Sequence, residues 1–284
     1  MSTSDTGGPD TGNSIIGDAW VNHKRWNRKT LRNPTAFVLE IVVAVFSLLL
    51  FTAVFGDVGG FALERAGFAD VEYVTFLLPA VLVQATMGSA FNSGMGLVSD
   101  LESGMFEKVV VMPMTWTAVF AGKATSELVR IVFQLLAVLG LGVLMGANVT
   151  TGVPGVLGIV IVCLLVGLLF MSLSNVVGLL TRDEEVLNAA SMLFMFPLLF
   201  LSPAFIPMSS EVELIATFNP VTYAVDAIRA LVLGEDVMTV ITITQFGGMY
   251  DTLVPAFAVL AGLNVVFGGI TVVLLSRASS AEAE

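Results

Sequence analysis

Six long apolar stretches limit what this chain can fold into more than any other feature of its sequence. Each holds roughly 20 mostly uncharged residues, the length that an α-helix needs to cross the hydrocarbon core of a bilayer, about 30 Å thick. We therefore predict an all-α polytopic membrane protein. The predicted spans are residues 36–55, 74–98, 124–146, 154–180, 186–206 and 253–275.

Composition supports a membrane protein. Hydrophobic residues make up 56% of the 284 residues and charged residues only 12%, and the mean hydropathy is +0.92. Soluble domains have about twice that share of charged residues. The apolar runs are continuous, whereas the strands of a transmembrane β-barrel alternate apolar and polar residues, so the pattern favours helices.

Basic residues indicate how the spans are oriented, because Lys and Arg favour cytoplasmic loops. A basic cluster at residues 24–32 precedes the first span, and Lys108 and Lys123 follow the second. Arg182 follows the fourth span and Arg277 follows the last. The long loops of the other side are rich in acidic residues. We predict a multi-pass protein of the cell membrane with both termini in the cytoplasm.

Several function classes are disfavoured by what the sequence contains. The formal net charge of −11 is spread over loops and tails, which argues against a nucleic-acid partner. Cys163 and His23 are the single residues of their types, so no Cys or His metal site is expected. Residues 121–125 read AGKAT, but Thr117 and Ala124 stand where a phosphate-binding loop needs Gly and Ser or Thr.

The domain organisation follows from the polar ends of the chain. Residues 1–14 have the polar, Gly-rich composition of a disordered cytoplasmic tail, and residues 276–284 resemble it. The membrane domain is predicted to occupy residues 15–275 between these tails.

An interfacial helix is predicted before the first span, in the segment IIGDAWVNHKRWNRKTLRN. Its apolar residues recur at helical spacing beside a cluster of cations that suits anionic lipid, although the basic residues alone would also serve as a topology signal. Trp20 and Trp26 are expected at the level of the lipid headgroups. The helix should end by Asn33, because Pro34 disfavours helical geometry in the residue before it.

A short amphipathic helix is predicted in the loop between the second and third spans, where the chain reads LESGMFEKVVVMPMT. At 100° per residue, Leu101, Met105, Val109 and Met112 share one face and charged residues take the other. Pro113 ends the helix. Such a helix can lie on the membrane surface or insert into a groove of a partner protein.

A second helix outside the spans, amphipathic and on the outer side of the membrane, is predicted in NPVTYAVDAIRALVLGE, before the last span. Asn219 and Pro220 are a natural helix start and Gly234 a natural C-terminal cap. Asp226 and Arg229 are three residues apart and can pair on one face. An exposed pair would contribute well under about 1 kcal/mol.

Both loop segments resemble those of the ABC-2 family of transport permeases. In the first, Met105 and Val109 depart from the family pattern, which usually has Thr and Leu there. The matching residues of the first are Glu102, Gly104, Glu107, Pro113, Met114, Gly122 and Lys123, and those of the second are Asn219, Pro220, Thr222, Tyr223, Asp226, Arg229 and Gly234. With the six spans, the resemblance covers residues 20–275 and is nearest to the daunorubicin-exporter type.

The resemblance implies a transport subunit that is not itself an enzyme. The first helix would be a coupling helix, docked on a separate ABC ATPase that binds ATP and Mg²⁺, and this chain would bind no cofactor. A second permease copy, as a homodimer or heterodimer, would complete the path of an amphiphilic substrate such as a drug, lipid or lipid-linked glycan. The expected ATPase contacts are Leu101, Glu102, Met105, Phe106, Glu107 and Lys108, and the expected outer gate is formed by Asn219, Pro220, Tyr223, Asp226 and Arg229.

Polar residues inside the spans complete the candidate set. Glu40, Glu127 and Arg130 lie near the predicted inner interface, where structural roles are common. The amides that could line a substrate path or join helices are Gln84, Asn92, Asn175 and Asn264. The alternative function is a secondary transporter driven by an ion gradient, for which Glu40 and Glu127 would be the titrating groups.

Overall fold

The computed structural model describes residues 15–32, 34–65, 71–102, 116–205, 213–241 and 244–282. These residues form helices and connecting turns, and the described ranges contain no strand. The helices are α1 (Ile15–Arg32), α2 (Pro34–Arg65), α3 (Tyr73–Glu102), α4 (Trp116–Leu144), α5 (Gly152–Thr181), α6 (Glu184–Phe200), α7 (Glu213–Thr217), α8 (Pro220–Leu233) and α9 (Tyr250–Glu282).

Five of these helices are long and apolar enough to cross a membrane. The candidate spans are Phe37–Arg65, Tyr73–Glu102, Ala121–Leu144, Gly152–Thr181 and Tyr250–Arg277. The all-helical prediction is therefore confirmed. The arrangement with six spans is not, because the predicted fifth span is the 17-residue helix α6, only about 25 Å long at 1.5 Å per residue.

Hydrogen bonds at the C-terminal end of α6 explain why this helix is short. Asn219 donates hydrogen bonds from its side-chain amide to the backbone carbonyls of Leu198 and Leu201, at 2.6 Å and 3.2 Å. Leu198 is in the last turn of α6 and Leu201 is the residue that follows it, where no further helical N–H groups can reach the carbonyls. The helix therefore ends against the start of α8 instead of continuing to residue 206 as predicted.

Helix α3 is the centre of the bundle. In its most apolar 18-residue window, 89% of the residues are buried within the protein, compared with 11% for α2. Small residues let α3 and α5 cross closely: a Cβ atom added to Gly94 would lie 2.7 Å from the carbonyl oxygen of Ser174. The Ser174 hydroxyl also donates to the carbonyl of Phe91 at 2.7 Å. The peripheral helices α2 and α9 expose apolar side chains, as lipid-facing helices do.

Helix α1 packs against the first turns of α4 rather than serving only as a surface anchor. The approach is close, since a Cβ atom on Gly122 would lie 2.7 Å from the Cβ atom of Asn22. Trp20 is exposed, but Trp26 is buried, and the ammonium of Lys123 lies 5.0 Å from its ring centroid. The prediction that both tryptophans lie among lipid headgroups is therefore wrong for Trp26. Its ring packs against Gly96 of α3, where an added Cβ atom would lie 3.0 Å from the ring.

Helix α8 begins and ends where the sequence predicts, but it is not amphipathic. Asn219 accepts a hydrogen bond from the backbone N–H of Val221 at 3.0 Å, Pro220 occupies the first turn, and Gly234 ends the helix with φ of 79°. Every residue from Val221 to Val232 is buried. Its polar side chains are enclosed with the apolar ones, so no solvent-facing side remains.

Candidate functional site

A cavity of about 360 Å³ lies between α2 and α6, with α3 as its back wall. Both α2 and α6 pack on α3 but make little or no contact with each other within the described part of the chain, which leaves this space open. Most of its wall is apolar. The lining residues are Leu39, Glu40, Val43, Ala44 and Ser47 of α2, Gln84, Ala85, Gly88, Ser89, Phe91, Asn92 and Met95 of α3, Gln134 of α4, and Asn188, Ser191, Met192 and Met195 of α6.

One end of the cavity is polar. Asn92 donates from Nδ2 to Oε1 of Glu40 at 2.8 Å, which joins α3 to α2. Arg130 lies behind this pair: its Nη1 is 3.6 Å from Oε1 of Glu40, and its Nη2 is 2.8 Å from Oε2 of Glu127. The same Nη2 donates to the backbone carbonyl of Ser89 at 2.9 Å. Two carboxylates therefore share one guanidinium beside the cavity.

The four predicted amides separate into two pairs. Gln84 and Asn92 line the cavity, as a substrate-path residue would. Asn175 instead accepts a hydrogen bond from Nζ of Lys123 at 2.7 Å, and that ammonium also donates to the carbonyl of Ser93 at 2.8 Å. Asn264 donates to the carbonyl of Leu165 at 2.9 Å and so joins α9 to α5. The second pair holds helices together.

The Asp226–Arg229 pair is fully enclosed, with 0% and 2% of the two side chains exposed. Nη1 of Arg229 lies 3.6 Å from Oδ1 of Asp226. Nη2 donates to the carbonyl of Pro203 at 2.8 Å, and the guanidinium lies 3.8 Å from the ring centroid of Phe76. The alternative of a weak surface pair is wrong, because α8 carries both side chains into the interior.

Asp226 extends this network to the segment after α8. Its Oδ2 accepts hydrogen bonds from the backbone N–H and the hydroxyl of Thr239, at 3.0 Å and 2.7 Å. On the other side, the Tyr223 hydroxyl donates to the carbonyl of Thr217 at 2.8 Å. The predicted outer-gate residues Asn219, Tyr223, Asp226 and Arg229 thus connect α8 to the end of α6, to the residues before α8 and to the loop after it.

Burial also changes the acidity of this network, which lies outside the candidate spans. Burial raises the pKa of the Asp226 carboxyl from 3.8 to about 6, while Arg229 and Thr239 act in the opposite direction. Burial likewise lowers the pKa of the Arg229 guanidinium to about 10, so it stays charged at neutral pH. The pair is charged at pH 7 but gains a proton in mildly acidic solution.

A pH-dependent stability follows from the raised pKa. Between about pH 4 and pH 6 the native protein holds a proton on Asp226 that the unfolded chain has released, so the free energy of unfolding falls as pH rises through this window. We expect wild type to lose more stability between pH 4.5 and pH 7 than Asp226→Asn, measured as thermal unfolding midpoints in detergent. Parallel pH profiles for the two proteins would contradict this.

The predicted coupling helix lies almost wholly outside the described residues, which stop at Glu102 and resume at Trp116. Met105, Phe106, Glu107 and Lys108 fall in that gap. Leu101 and Glu102 form the end of α3, where Glu102 is exposed. An ion pair between Arg25 and Asp100 joins α1 to the same end of α3.

Some residues of the cavity were not predicted from sequence. Ser89, Gln134 and Asn188 line it, and Lys123 holds α3, α4 and α5 together nearby. The available signal was a polar residue inside an apolar run, the same signal that identified Gln84 and Asn92. Within the described residues, no group of three or more His, Cys, Asp or Glu side chains could hold a metal ion.

Long apolar helices around a cavity, with buried charges beside it, define a polytopic membrane protein of the transport class. The family model described as ABC-2 type transporter matches residues 18–233, about three quarters of the chain. The chain therefore belongs to the ABC-2 type transporter family.

Three relatives that are described as permeases agree with this family membership. The chain is 29% identical over 241 residues to the daunorubicin resistance ABC transporter permease protein DrrB1 of Streptomyces coeruleorubidus, covering 84% of this chain and 78% of that protein. It is 25% identical over 225 residues to a protein described as a transport permease, ycf38, of Cyanophora paradoxa, covering 76% and 74%. The ycf38 protein of Porphyra purpurea is 26% identical over 213 residues, covering 72% and 70%.

Proposed function

We propose that this protein is the membrane-spanning subunit of an ABC exporter and moves an amphiphilic substrate outward with energy from ATP hydrolysed by a separate subunit. The observation that carries the proposal is the cavity between α2, α3 and α6, which has an apolar wall and a polar end. Cavities of a few hundred Å³ with few polar groups are typical of small-molecule sites. A drug, a lipid and a lipid-linked glycan are the candidate substrates, and the name of the DrrB1 relative favours a drug.

The position of α3 supports coupling to a partner ATPase. One end of this helix leads directly into the loop of residues 103–115, and its middle forms the back wall of the cavity. A force applied to the loop would therefore act on the helix that lines the binding space. ATP and Mg²⁺ would bind to the partner. Residues 121–125 of this chain lie within α4, and Lys123 is already bonded to Ser93 and Asn175, an arrangement unlike a phosphate-binding loop.

The exposed faces of α2 and α6 support a second permease copy. Both helices present apolar side chains on either side of the cavity, including Phe46, Phe55, Leu193 and Phe196. A second copy placed against these faces would close the cavity on the side that this chain leaves open. Both termini would lie in the cytoplasm, as the distribution of basic residues predicts.

Reversing one charge in the coupling segment tests the proposal. We expect Glu107→Lys to abolish co-purification of a P-loop ATPase with the tagged permease in mild detergent, because the helix would meet its partner with the wrong charge. Glu185→Lys, an exposed change in the first turn of α6, is the matched control and should keep the complex. An intact complex with full ATPase stimulation in Glu107→Lys would remove the coupling assignment.

The ion-driven alternative is tested separately. If Glu40 and Glu127 carried protons across the membrane, Glu40→Gln and Glu127→Gln would flatten the dependence of transport on pH, and transport would persist in ATP-depleted vesicles. The ABC proposal expects transport to stop without ATP in wild type. Persisting transport in those vesicles would favour the secondary transporter.

A further inference from the structure

We infer that the polar end of the cavity binds the positively charged head of a cationic amphiphile, with Glu40 as its counter-ion. The inference rests on the proposed transport function of the same cavity and names its substrate class. It is carried by the charges around the cavity, by buried oxygens that lack partners, and by the apolar wall.

Charge is the first observation. Of the described residues that line the cavity, Glu40 is the one that is ionisable, and none of them is Lys, Arg or His. Arg130 behind it is closer to Glu127, at 2.8 Å, than to Glu40, at 3.6 Å. Lys123, one turn before Glu127 in α4, donates instead to Ser93 and Asn175. Among the described residues the charge that reaches the cavity wall is therefore the carboxylate of Glu40. A charge inside a membrane is costly to leave without a counter-charge, so a cation that enters the cavity gains from Glu40 and an anion does not.

Buried oxygens without partners are the second observation. Ser89 and Gln134 are 1% and 2% exposed, yet Oγ of the first and Oε1 of the second have no hydrogen-bond partner among the described residues. The same holds for Oε2 of Glu40 and Oε1 of Gln84. Buried polar atoms are nearly always bonded, so these oxygens are available to accept hydrogen bonds from a ligand or from water. Glutamine can turn its amide to present oxygen or N–H, so Gln84 and Gln134 do not select the charge of a ligand. The carboxylate of Glu40 does, and it favours a positive charge.

The remainder of the wall suits an apolar body attached to that head. Leu39, Val43, Met95, Met192 and Met195 line the cavity away from the carboxylate. Methionine adapts its shape to different partners, so the wall favours a range of apolar bodies over a single one. The carboxylate fixes one end of the ligand and the wall accommodates the other.

Two probe ions of similar size and opposite charge test the inference without any ATPase. Tetraphenylphosphonium and tetraphenylborate would be measured separately on the purified permease in phosphatidylcholine nanodiscs, each corrected for binding to empty nanodiscs. We expect wild type to bind the cation at least about tenfold more tightly than the anion. Glu40→Gln should lower affinity for the cation by roughly tenfold or more, because the counter-charge is lost. Equal affinities for the two ions in wild type would overturn the inference.

A charge exchange separates binding from folding. Asn92 contacts Glu40 directly, so Glu40→Gln combined with Asn92→Asp returns one carboxylate and one amide to the same place. We expect this double variant to regain the preference for the cation. Glu64→Gln, an exposed change about 36 Å along α2 from Glu40, should leave both affinities unchanged. If Glu40→Gln is monodisperse and keeps the full preference, Glu40 is not the counter-ion, whatever the fate of the ATPase complex.

Discussion

Replacing Arg229 with methionine is expected to lower the free energy of unfolding by about 3–5 kcal/mol, the usual cost of removing one partner from a buried ion pair. Removing Arg229 takes away a charge that lowers the pKa of Asp226, so the enclosed carboxyl must either stay charged without its partner or take up a proton. The carbonyl of Pro203 would also lose the hydrogen bond that Arg229 donates at 2.8 Å. Equilibrium unfolding of the purified permease in a denaturing detergent measures the change.

Two further variants decide whether the uncompensated charge is the cause. Asp226→Asn combined with Arg229→Met leaves no buried charge at this place, so we expect it to recover well over half of the lost stability. Arg65→Met removes an exposed arginine and should change stability by less than about 0.5 kcal/mol. A double variant as unstable as Arg229→Met alone would show that lost packing, and not charge, is responsible.

Gly94→Ala is expected to destabilise the protein by about 1–3 kcal/mol, because the added methyl group overpacks the crossing of α3 and α5. The new Cβ atom would lie 2.7 Å from a backbone oxygen of Ser174 and 2.8 Å from its carbonyl carbon. Backbone cannot turn aside as a side chain does, so the two helices must separate. That movement would also lengthen the 2.7 Å hydrogen bond from Ser174 to Phe91.

The same helix supplies the matched control. A Cβ atom on Gly88 would meet nothing within 4 Å, so Gly88→Ala should leave the thermal midpoint unchanged or slightly raised, as alanine favours helices over glycine. The comparison uses unfolding and not transport as its readout, since Gly88 lines the cavity. Equal losses in the two variants would mean that the close crossing does not contribute to stability.

Local signals in the sequence predicted most of the helices. The asparagine, proline and glycine around α8 act only on their nearest neighbours, so the cap at Asn219, the start at Pro220 and the end at Gly234 are all confirmed. Mean hydropathy over a long run is a similarly robust signal, and it identified the five long spans. Such features depend on a few adjacent residues and not on the rest of the fold.

Properties that depend on distant parts of the chain were not predictable in the same way. The buried pair of Asp226 and Arg229 depends on partners outside α8. These partners are Thr239, Pro203 and Phe76, and the spacing of residues within α8 does not predict them. The end of α6 likewise depends on Asn219, some 20 residues further along the chain. The residues around Trp26 have the composition of a lipid anchor, but its ring packs against Gly96, which is 70 residues further along the chain.

The cavity was predictable only in part. Polar residues in apolar runs identified Gln84 and Asn92, but the same signal selected Asn175 and Asn264, which hold helices together. Sequence spacing does not reveal which face of a span meets a neighbour and which borders an empty space. That distinction comes from the gap between α2 and α6, a feature of how three helices pack.

The shortness of α6 has a consequence for the surrounding lipid. This helix, about 25 Å long, stands beside the cavity opposite α2, whose 32 residues span about 48 Å. Lipid that reaches α6 beside a second copy would have to thin or tilt its acyl chains there, at a cost of fractions of a kcal/mol per Å of hydrophobic mismatch. Membrane thickness therefore affects the free energy of the helices around the cavity. We expect transport to depend on the acyl-chain length of the surrounding lipids.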